Sequence, residues 1–303
     1  MNTLIAITSI YLFIFIGYFF KKVFKNQIDE KTLILLSVYF LQPILTFWGL
    51  TRVSLNHELL YVPIIYLAII LSVLIGLIFV SRYIFIDEKD KAIFIVSSLI
   101  GNTGNLSIPL GIALFGESSV PYTSIINIAN VFFMYTIGVY FYAKSSFNIE
   151  DSIKSMLKIP IIWVALFALI YNHFNLPIHT QINQILEMGS YAAIVLQLVI
   201  LGVYLSKISL RGHHYKLSLS VSFVKLILLP VVGIIFVLNT SLSNEVSMIL
   251  LISLFAPLAV TNLNMAALYN CKSYEVAGII FVSSFLFLFL IYFDLEIVQR
   301  IFK

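Results

Sequence analysis

The sequence predicts an all-α integral membrane protein of ten transmembrane helices, arranged as two inverted five-helix repeats, with helices 4 and 9 broken at their middles. Three observations carry this reading. The chain is 61% apolar and only 11% charged, with a mean hydropathy of +1.04, whereas a soluble domain carries about 45–50% apolar and about 25% charged residues. Ten stretches of membrane-spanning length contain no Asp, Glu, Lys or Arg. Two of these stretches hold a cluster of Gly, Pro and Asn at matching places in the two halves.

A charge at the bilayer centre costs roughly 2.5–3.5 kcal/mol on insertion scales, so uncharged runs mark the spans. They cover 1–20, 32–51, 59–81, 92–116, 118–143, 159–186, 188–206, 226–244, 246–271 and 276–293, each near or above the ~20 residues that cross ~30 Å. The first reads as a spanning helix and not as a cleaved signal peptide, because Met1-Asn2-Thr3 is uncharged and 4–20 runs straight into Lys21-Lys22. His173 and His179 lie in the sixth run, which confines its helix to 153–171, and the eighth helix is expected to begin upstream of its run, near Tyr215. The runs leave no room for a soluble domain, and the repeats divide at 1–148 and 149–303.

Counting basic residues at alternate connections sets the orientation. One side holds Lys21, Lys22, Lys25, Lys31, Arg82, Lys89, Lys91, Lys144, Lys154, Lys158, Lys207, Arg211, Lys216 and Lys272, the other Arg52, Arg300 and Lys303, a ratio of 14 to 3. Cytoplasmic loops retain Lys and Arg, so both termini are expected outside the cytoplasm. The net charge of +4 is therefore a matter of topology and implies no nucleic-acid partner. Abundant Ile, Phe, Asn, Lys and Tyr point to an AT-rich bacterial genome, hence to the inner (plasma) membrane. Cys271, the single cysteine, cannot form an internal disulfide.

Helices 4 and 9 are the informative ones. They contain Gly101-Asn102-Thr103-Gly104-Asn105-Leu106-Ser107-Ile108-Pro109-Leu110-Gly111 and Ala256-Pro257-Leu258-Ala259-Val260-Thr261-Asn262-Leu263-Asn264. Gly and Pro interrupt the hydrogen-bond ladder and Asn, Ser and Thr cap freed amides, so both segments are expected to unwind near the midplane. A shift of 154 residues lays Leu114-Phe115-Gly116 over Leu268-Tyr269-Asn270. Five helices per repeat is an odd number, which inverts the second copy. Paired broken helices in an inverted repeat are the best sequence pointer to a transporter binding site. Each restarted helix also presents free N–H groups and a positive dipole end, which favours an anion. The bland alternative, a simple kink stabilised by its own side chains, weakens when two such segments fall in register.

Asn102-Thr103-Gly104-Asn105, Ile108-Pro109-Leu110 and Leu114-Phe115-Gly116, followed by Pro257, Thr261 and Ala266-Ala267-Leu268-Tyr269, resemble the auxin efflux carrier family of membrane transporters. The opening, Gly17-Tyr18 with a basic turn and then Leu41-Gln42-Pro43, is similar too. The resemblance implies a fold related to bile acid/sodium symporters. Helices 1, 2, 6 and 7 would form a scaffold, often a homodimer contact, and helices 3–5 and 8–10 a moving transport domain whose broken helices 4 and 9 cross at their prolines. It further implies that Asn102 or Asn105, and Asn262 or Asn264, contact a carboxylate such as malate, malonate or an auxin-like acid. Ser107, Pro109, Pro257 and Thr261 belong to the same segments. Helix 3 lacks the carboxylate of plant members and the core has no acidic pair for sodium, which leaves the coupling ion open.

Five further candidate residues lie inside spans. Asn127 and Asn130 are three apart on helix 5, hence on one face, able either to line the pathway or to join helices. Gln42 and Gln197 offer contacts from helices 2 and 7, or interhelical bonds. Lys225 is the one basic residue well inside a span, nine positions after Lys216 and so about 13 Å deeper. It is a candidate for countercharge or coupling, against snorkelling to the surface. The five histidines, His57, His173, His179, His213 and His214, read as loop residues without a metal set. No cofactor is implied. The favoured function is a carrier that moves a small organic acid by alternating access. The competing readings are a channel or ligand sensor on the same fold, a sodium-coupled anion symporter, and an intramembrane enzyme, for which a nucleophile–base pair or paired acids at depth are missing.

Overall fold

The computed structural model describes residues 2–52, 55–143, 149–206, 208 and 213–302. Of the basic residues in the orientation tally, Lys144, Lys207, Arg211 and Lys303 lie outside the described residues. Apart from one antiparallel bridge, the described residues are helices and their connections. In chain order these are α1, Asn2–Phe24; α2, Glu30–Leu50, and α3, His57–Ile84; α4, Glu88–Leu99; α5, Thr103–Phe115, and α6, Glu117–Ala143; and α7, Ile149–Leu157. There follow α8, Pro160–His173; α9, Thr180–Leu205; α10, Tyr215–Val237; α11, Asn244–Phe255; α12, Thr261–Leu268; and α13, Ser273–Ile301.

Six of these helices, α2, α3, α6, α9, α10 and α13, are long and apolar enough to cross a membrane, while α5, α8 and α11 are shorter and apolar. Their outward faces carry Phe79, Ile75, Phe285, Phe289 and Phe293, the all-round apolarity of helices that meet lipid on one side and protein on the other. Helix starts are set by local chemistry. Asp29 accepts from the amides of Lys31 and Thr32 at α2, Asn56 from Leu59 at α3, and Asp87 from Lys89 and Asp90 at α4, caps that contribute about 1 kcal/mol each.

Two packing groups emerge. Helix α1 lies along α9, and α2 packs on α8 and α9. A Cβ on Gly17 would meet the Val199 carbonyl and one on Gly202 the Ile14 carbonyl, so α1 and α9 approach backbone to backbone, as small residues allow in lipid. The second group joins α3 to α4 and α6, α10 to α4 and α13, and α11 to α6, α10 and α13.

The sixth uncharged run is partitioned differently from the expectation of one helix over 153–171. Ile159 is extended (φ −83, ψ 117) ahead of Pro160, because the proline ring disfavours helical backbone in the residue before it. Residues 153–157 therefore belong to the separate helix α7, which buries Met156 and exposes Glu150, Asp151 and Lys154, the pattern of an interfacial helix. The end of the same run, from Thr180, opens α9 after a turn through Asn175 at φ 50. Helix α10 does begin at Tyr215.

Among the described residues, four helices contain a π-helical stretch: Ser37–Leu41 in α2, Thr103–Ser107 in α5, Met134–Gly138 in α6 and Val224–Leu228 in α10. Such wide turns concentrate at functional sites. Here the first three border one cavity and the fourth carries Lys225.

Candidate functional site

Both Gly/Pro/Asn segments are unwound. Helix α4 stops at Leu99 and α5 restarts at Thr103; α11 stops at Phe255 and α12 restarts at Thr261. The gaps run antiparallel beside each other, bridged at Gly101 and Leu258. The Asn102 amide donates to the Pro257 carbonyl at 2.8 Å, and the Ala259 amide to the Ile100 carbonyl at 3.2 Å. These two bonds replace part of what each helix loses by unwinding, which lipid-depth backbone requires. Glycine at 101 lets the lysine amine approach closely, since a Cβ there would stand 2.6 Å from the Lys225 Nζ and 3.1 Å from the Ala256 oxygen.

Side chains from other helices complete the junction. Asn130 Nδ2 donates to the Gly101 carbonyl (2.9 Å) and to Thr103 Oγ1 (3.0 Å), while Tyr66 of α3 donates to Asn130 Oδ1 at 3.0 Å. Thr103 Oγ1 donates to Asn127 Oδ1 at 2.9 Å. Asn262, fully buried, donates to the carbonyls of Ile100 (3.2 Å) and Ala259 (3.0 Å) and accepts from Tyr142 at 3.3 Å.

In front of this junction lies a cavity of about 290 Å³. It gathers Gln42, Asn102, Asn105, Asn127, Asn130, Thr261 and Asn264 from four helices and the first gap, with Ser37, Tyr39, Thr103, Tyr135 and Tyr204 beside them. Apolar walls come from Ile34, Val38, Met134, Ile159, Ile161 and Ile200. Among the described residues, no Asp, Glu, Lys, Arg or His lines it. Asn102 Oδ1 caps the Asn105 amide at 3.3 Å, while its Nδ2 is buried without a partner among the described residues. The first amides of α5, at Thr103 and Gly104, have no carbonyl four residues back within the helix. The site therefore offers neutral N–H donors and a helix N-terminus, an arrangement that holds a carboxylate without a countercharge.

The other candidates lie elsewhere. Pro257 is buried and acts through its carbonyl. Pro109 is buried in the first turn of the α-helical part of α5. Ser107 is buried with its hydroxyl unpaired, and Gln197 is buried on α9 with both amide atoms unpaired. Asn262 is committed to backbone carbonyls. Lys225 is fully buried behind Gly101, donating to the Leu254 carbonyl at 3.2 Å, so its amine does not snorkel to the surface. Sequence reasoning missed Tyr66 and Tyr142, which hold the junction from outside the motifs. Both are buried tyrosines within apolar helices, a type that needs a hydroxyl partner.

At the far end of the helices, Arg52 pairs with Glu117, Tyr191 donates to the same carboxylate, and the guanidinium lies 4.4 Å from the Trp48 ring centroid. At the opposite end His213 is no plain loop residue. Its ring is buried over Gly278, with Nδ1 2.7 Å from Glu275 and Nε2 bonded to Ser218. Burial pushes its pKa below the ordinary imidazole value against the pull of Glu275. Nearby, Lys272 bonds Asp90 at 2.6 Å, so starts of α4 and α13 are tied together.

The sequence matches the membrane transport protein family over residues 3–158 and 145–293. It is also similar to an uncharacterized transporter of Methanocaldococcus jannaschii, 25% identical over 290 residues that cover 92% of this chain and 93% of that protein.

Proposed function

Because the chain belongs to the membrane transport protein family of the auxin efflux carriers, we propose that it is a secondary carrier for a small organic carboxylate, working by alternating access. The observation that carries this reading is the pair of bonded, unwound segments opening onto an uncharged, amide-lined cavity. The substrate carboxylate is received by Asn102 Nδ2, the amides of Asn105 and Asn127 and the first N–H groups of α5. Its apolar body rests on Val38, Ile159 and Ile200. Each charge-assisted hydrogen bond of this kind contributes about 1.5–3 kcal/mol, enough together for micromolar to millimolar binding.

The proposal includes ten crossings in two inverted repeats, 1–148 and 149–303, with helices 4 and 9 as crossovers. The equal twelve-residue lengths of Glu88–Leu99 and Asn244–Phe255 support it. So does the packing of α1, α2, α8 and α9 as one group, the scaffold, whose outer face is the proposed homodimer contact. The cavity lining runs out to Ile34, Ile159 and Tyr204, beside the basic connections read as cytoplasmic in the inner membrane. The Arg52–Glu117–Tyr191 contact then closes the outer side, and both termini are non-cytoplasmic.

The test is counterflow in proteoliposomes preloaded with unlabelled malate, malonate, lactate or indole acetate, following uptake of the labelled acid without a gradient. Saturable exchange of one acid is the expected result. Gradient-driven flux that never saturates points to a channel, and no exchange by folded, reconstituted protein removes the organic-acid reading.

A further inference from the structure

Unwinding at Pro257 leaves the end of α11 with carbonyls that no helical amide serves. Pro257 has no N–H for the Ser253 carbonyl. The Leu258 amide turns to Ser283 Oγ at 3.3 Å and the Ala259 amide crosses to Ile100, so the carbonyls of Leu254 and Phe255 lose their helical donors as well. Such a helix C-terminus carries the negative end of the dipole. In broken-helix transporters, unwound carbonyls and half-helix C-termini are where a coupling cation is held.

In this chain that place contains an amine. Lys225, in the π-helical stretch of α10, reaches the helix end with Nζ 3.2 Å from the Leu254 carbonyl. The position a Cβ of Gly101 would take is 2.6 Å from Nζ and 3.1 Å from the Ala256 oxygen, so the amine sits in the crook between the two unwound segments. It is fully buried, and the Leu254 bond is its one polar contact among the described residues. The carboxylates on the helices packed against it, Glu88, Asp90, Glu245, Glu275, Asp294 and Glu296, all lie in the first or last two turns of those helices. A lone buried amine without an acid partner is costly in a membrane unless the surrounding dipoles favour positive charge.

We propose that the Lys225 ammonium is a tethered cation filling the cation position at the end of α11, so that the crossing holds together without diffusible sodium. The site assignment stands on geometry alone; its consequence, carboxylate exchange independent of sodium, rests on the carrier reading. Shortening the side chain then exposes a carbonyl-lined site that accepts a small monovalent cation.

The experiment is thermal unfolding of the purified full-length protein in detergent, in choline, sodium or methylammonium chloride at equal ionic strength. Wild-type Tm is expected to be the same in all three. Lys225→Ala is expected to lose about 3–10 °C in choline and to regain most of it in methylammonium or sodium. Lys225→Met, which keeps the length without the charge, stays low in every salt. A Lys225→Met protein as stable as wild type, or a Lys225→Ala protein indifferent to all small cations, overturns the proposal. If neither variant folds, the wild type decides: insensitivity to sodium supports the tethered cation and saturable stabilisation by sodium refutes it. Unfolding needs no substrate, so this outcome is independent of whether counterflow finds one.

Discussion

At the gap between α4 and α5 the asparagines Asn102 and Asn105 face the cavity, whereas at the gap between α11 and α12 the buried Asn262 is committed to the carbonyls of Ile100 and Ala259. Of the polar side chains in the second segment, Thr261 and Asn264 reach the cavity, beside Ala259 and Val260. The same composition thus serves two ends. One segment keeps its donors free, and its partner supplies the backbone tie and, through its helix end, the seat of Lys225. A crossing of two unwound strands needs both, since free donors at that depth survive only where the surrounding backbone is satisfied.

The sharpest way to break the comparison is to remove the holding asparagine. Asn262→Ala removes three buried hydrogen bonds, although the Ile100 and Ala259 carbonyls each keep a backbone amide and the Tyr142 hydroxyl keeps Ser97, which at about 1 kcal/mol apiece costs about 3 kcal/mol. A large fall in Tm is expected, with loss of folded protein at 37 °C; a Tm within a degree or two of wild type would mean that the segments do not depend on it.

Next in size are the two asparagines of the first segment that face the cavity. Asn102→Ser keeps an oxygen to cap the Asn105 amide but has no Nδ2, and Asn105→Ala removes a side chain whose amide group makes no bond of its own among the described residues. Both are expected to leave Tm nearly unchanged. The half-saturating concentration for exchange should rise about 10- to 100-fold, the loss of one charge-assisted hydrogen bond. Unchanged exchange in both variants would reassign the cavity wall from binding to packing.

These contrasts separate what is legible in the sequence from what is not. Gly101, Pro257 and their asparagines act through local backbone rules, so the positions of both gaps follow from residue type. Seven candidate side chains share the cavity, four of them because they lie in or beside those gaps. Which asparagine faces outward is decided by Tyr66, Tyr142 and Ser283, distant in sequence and reached only through tertiary packing. The π-helical stretches shift the register of α2, α6 and α10 without a composition cue, and Lys225 lies in one of them. The break before Pro160 was legible in principle, since the residue before a proline leaves the helix.

A smaller effect is expected at the proposed outer closure, where Glu117 meets Arg52 and Tyr191 while partly exposed. Exposed pairs contribute about 0–1 kcal/mol, so Glu117→Gln should shift the balance of states by no more than about fivefold. Ser124, buried beside Gly49, reports this as Ser124→Cys labelled by a membrane-impermeant maleimide. The native thiol does not interfere, because burial pushes Cys271 up to about 11 and leaves little thiolate at neutral pH. Labelling should rise about two- to fivefold with Glu117→Gln; an unchanged rate would remove this contact from the closure.

The smallest effect lies at the other end of the bundle, where His213 is buried against Glu275 and Gly278. Its folded pKa is depressed, chiefly by burial, so the unfolded chain binds the proton more readily. Stability is then fully present above the unfolded imidazole value of about 6.5 and declines as pH falls below it. Tm measured from pH 8 down to pH 5 should be flat at first and slope downward below that point, and His213→Gln should reduce the slope while Glu275 keeps its bond from the His214 amide. A slope that survives the substitution unchanged would remove His213 as the source of the acid sensitivity.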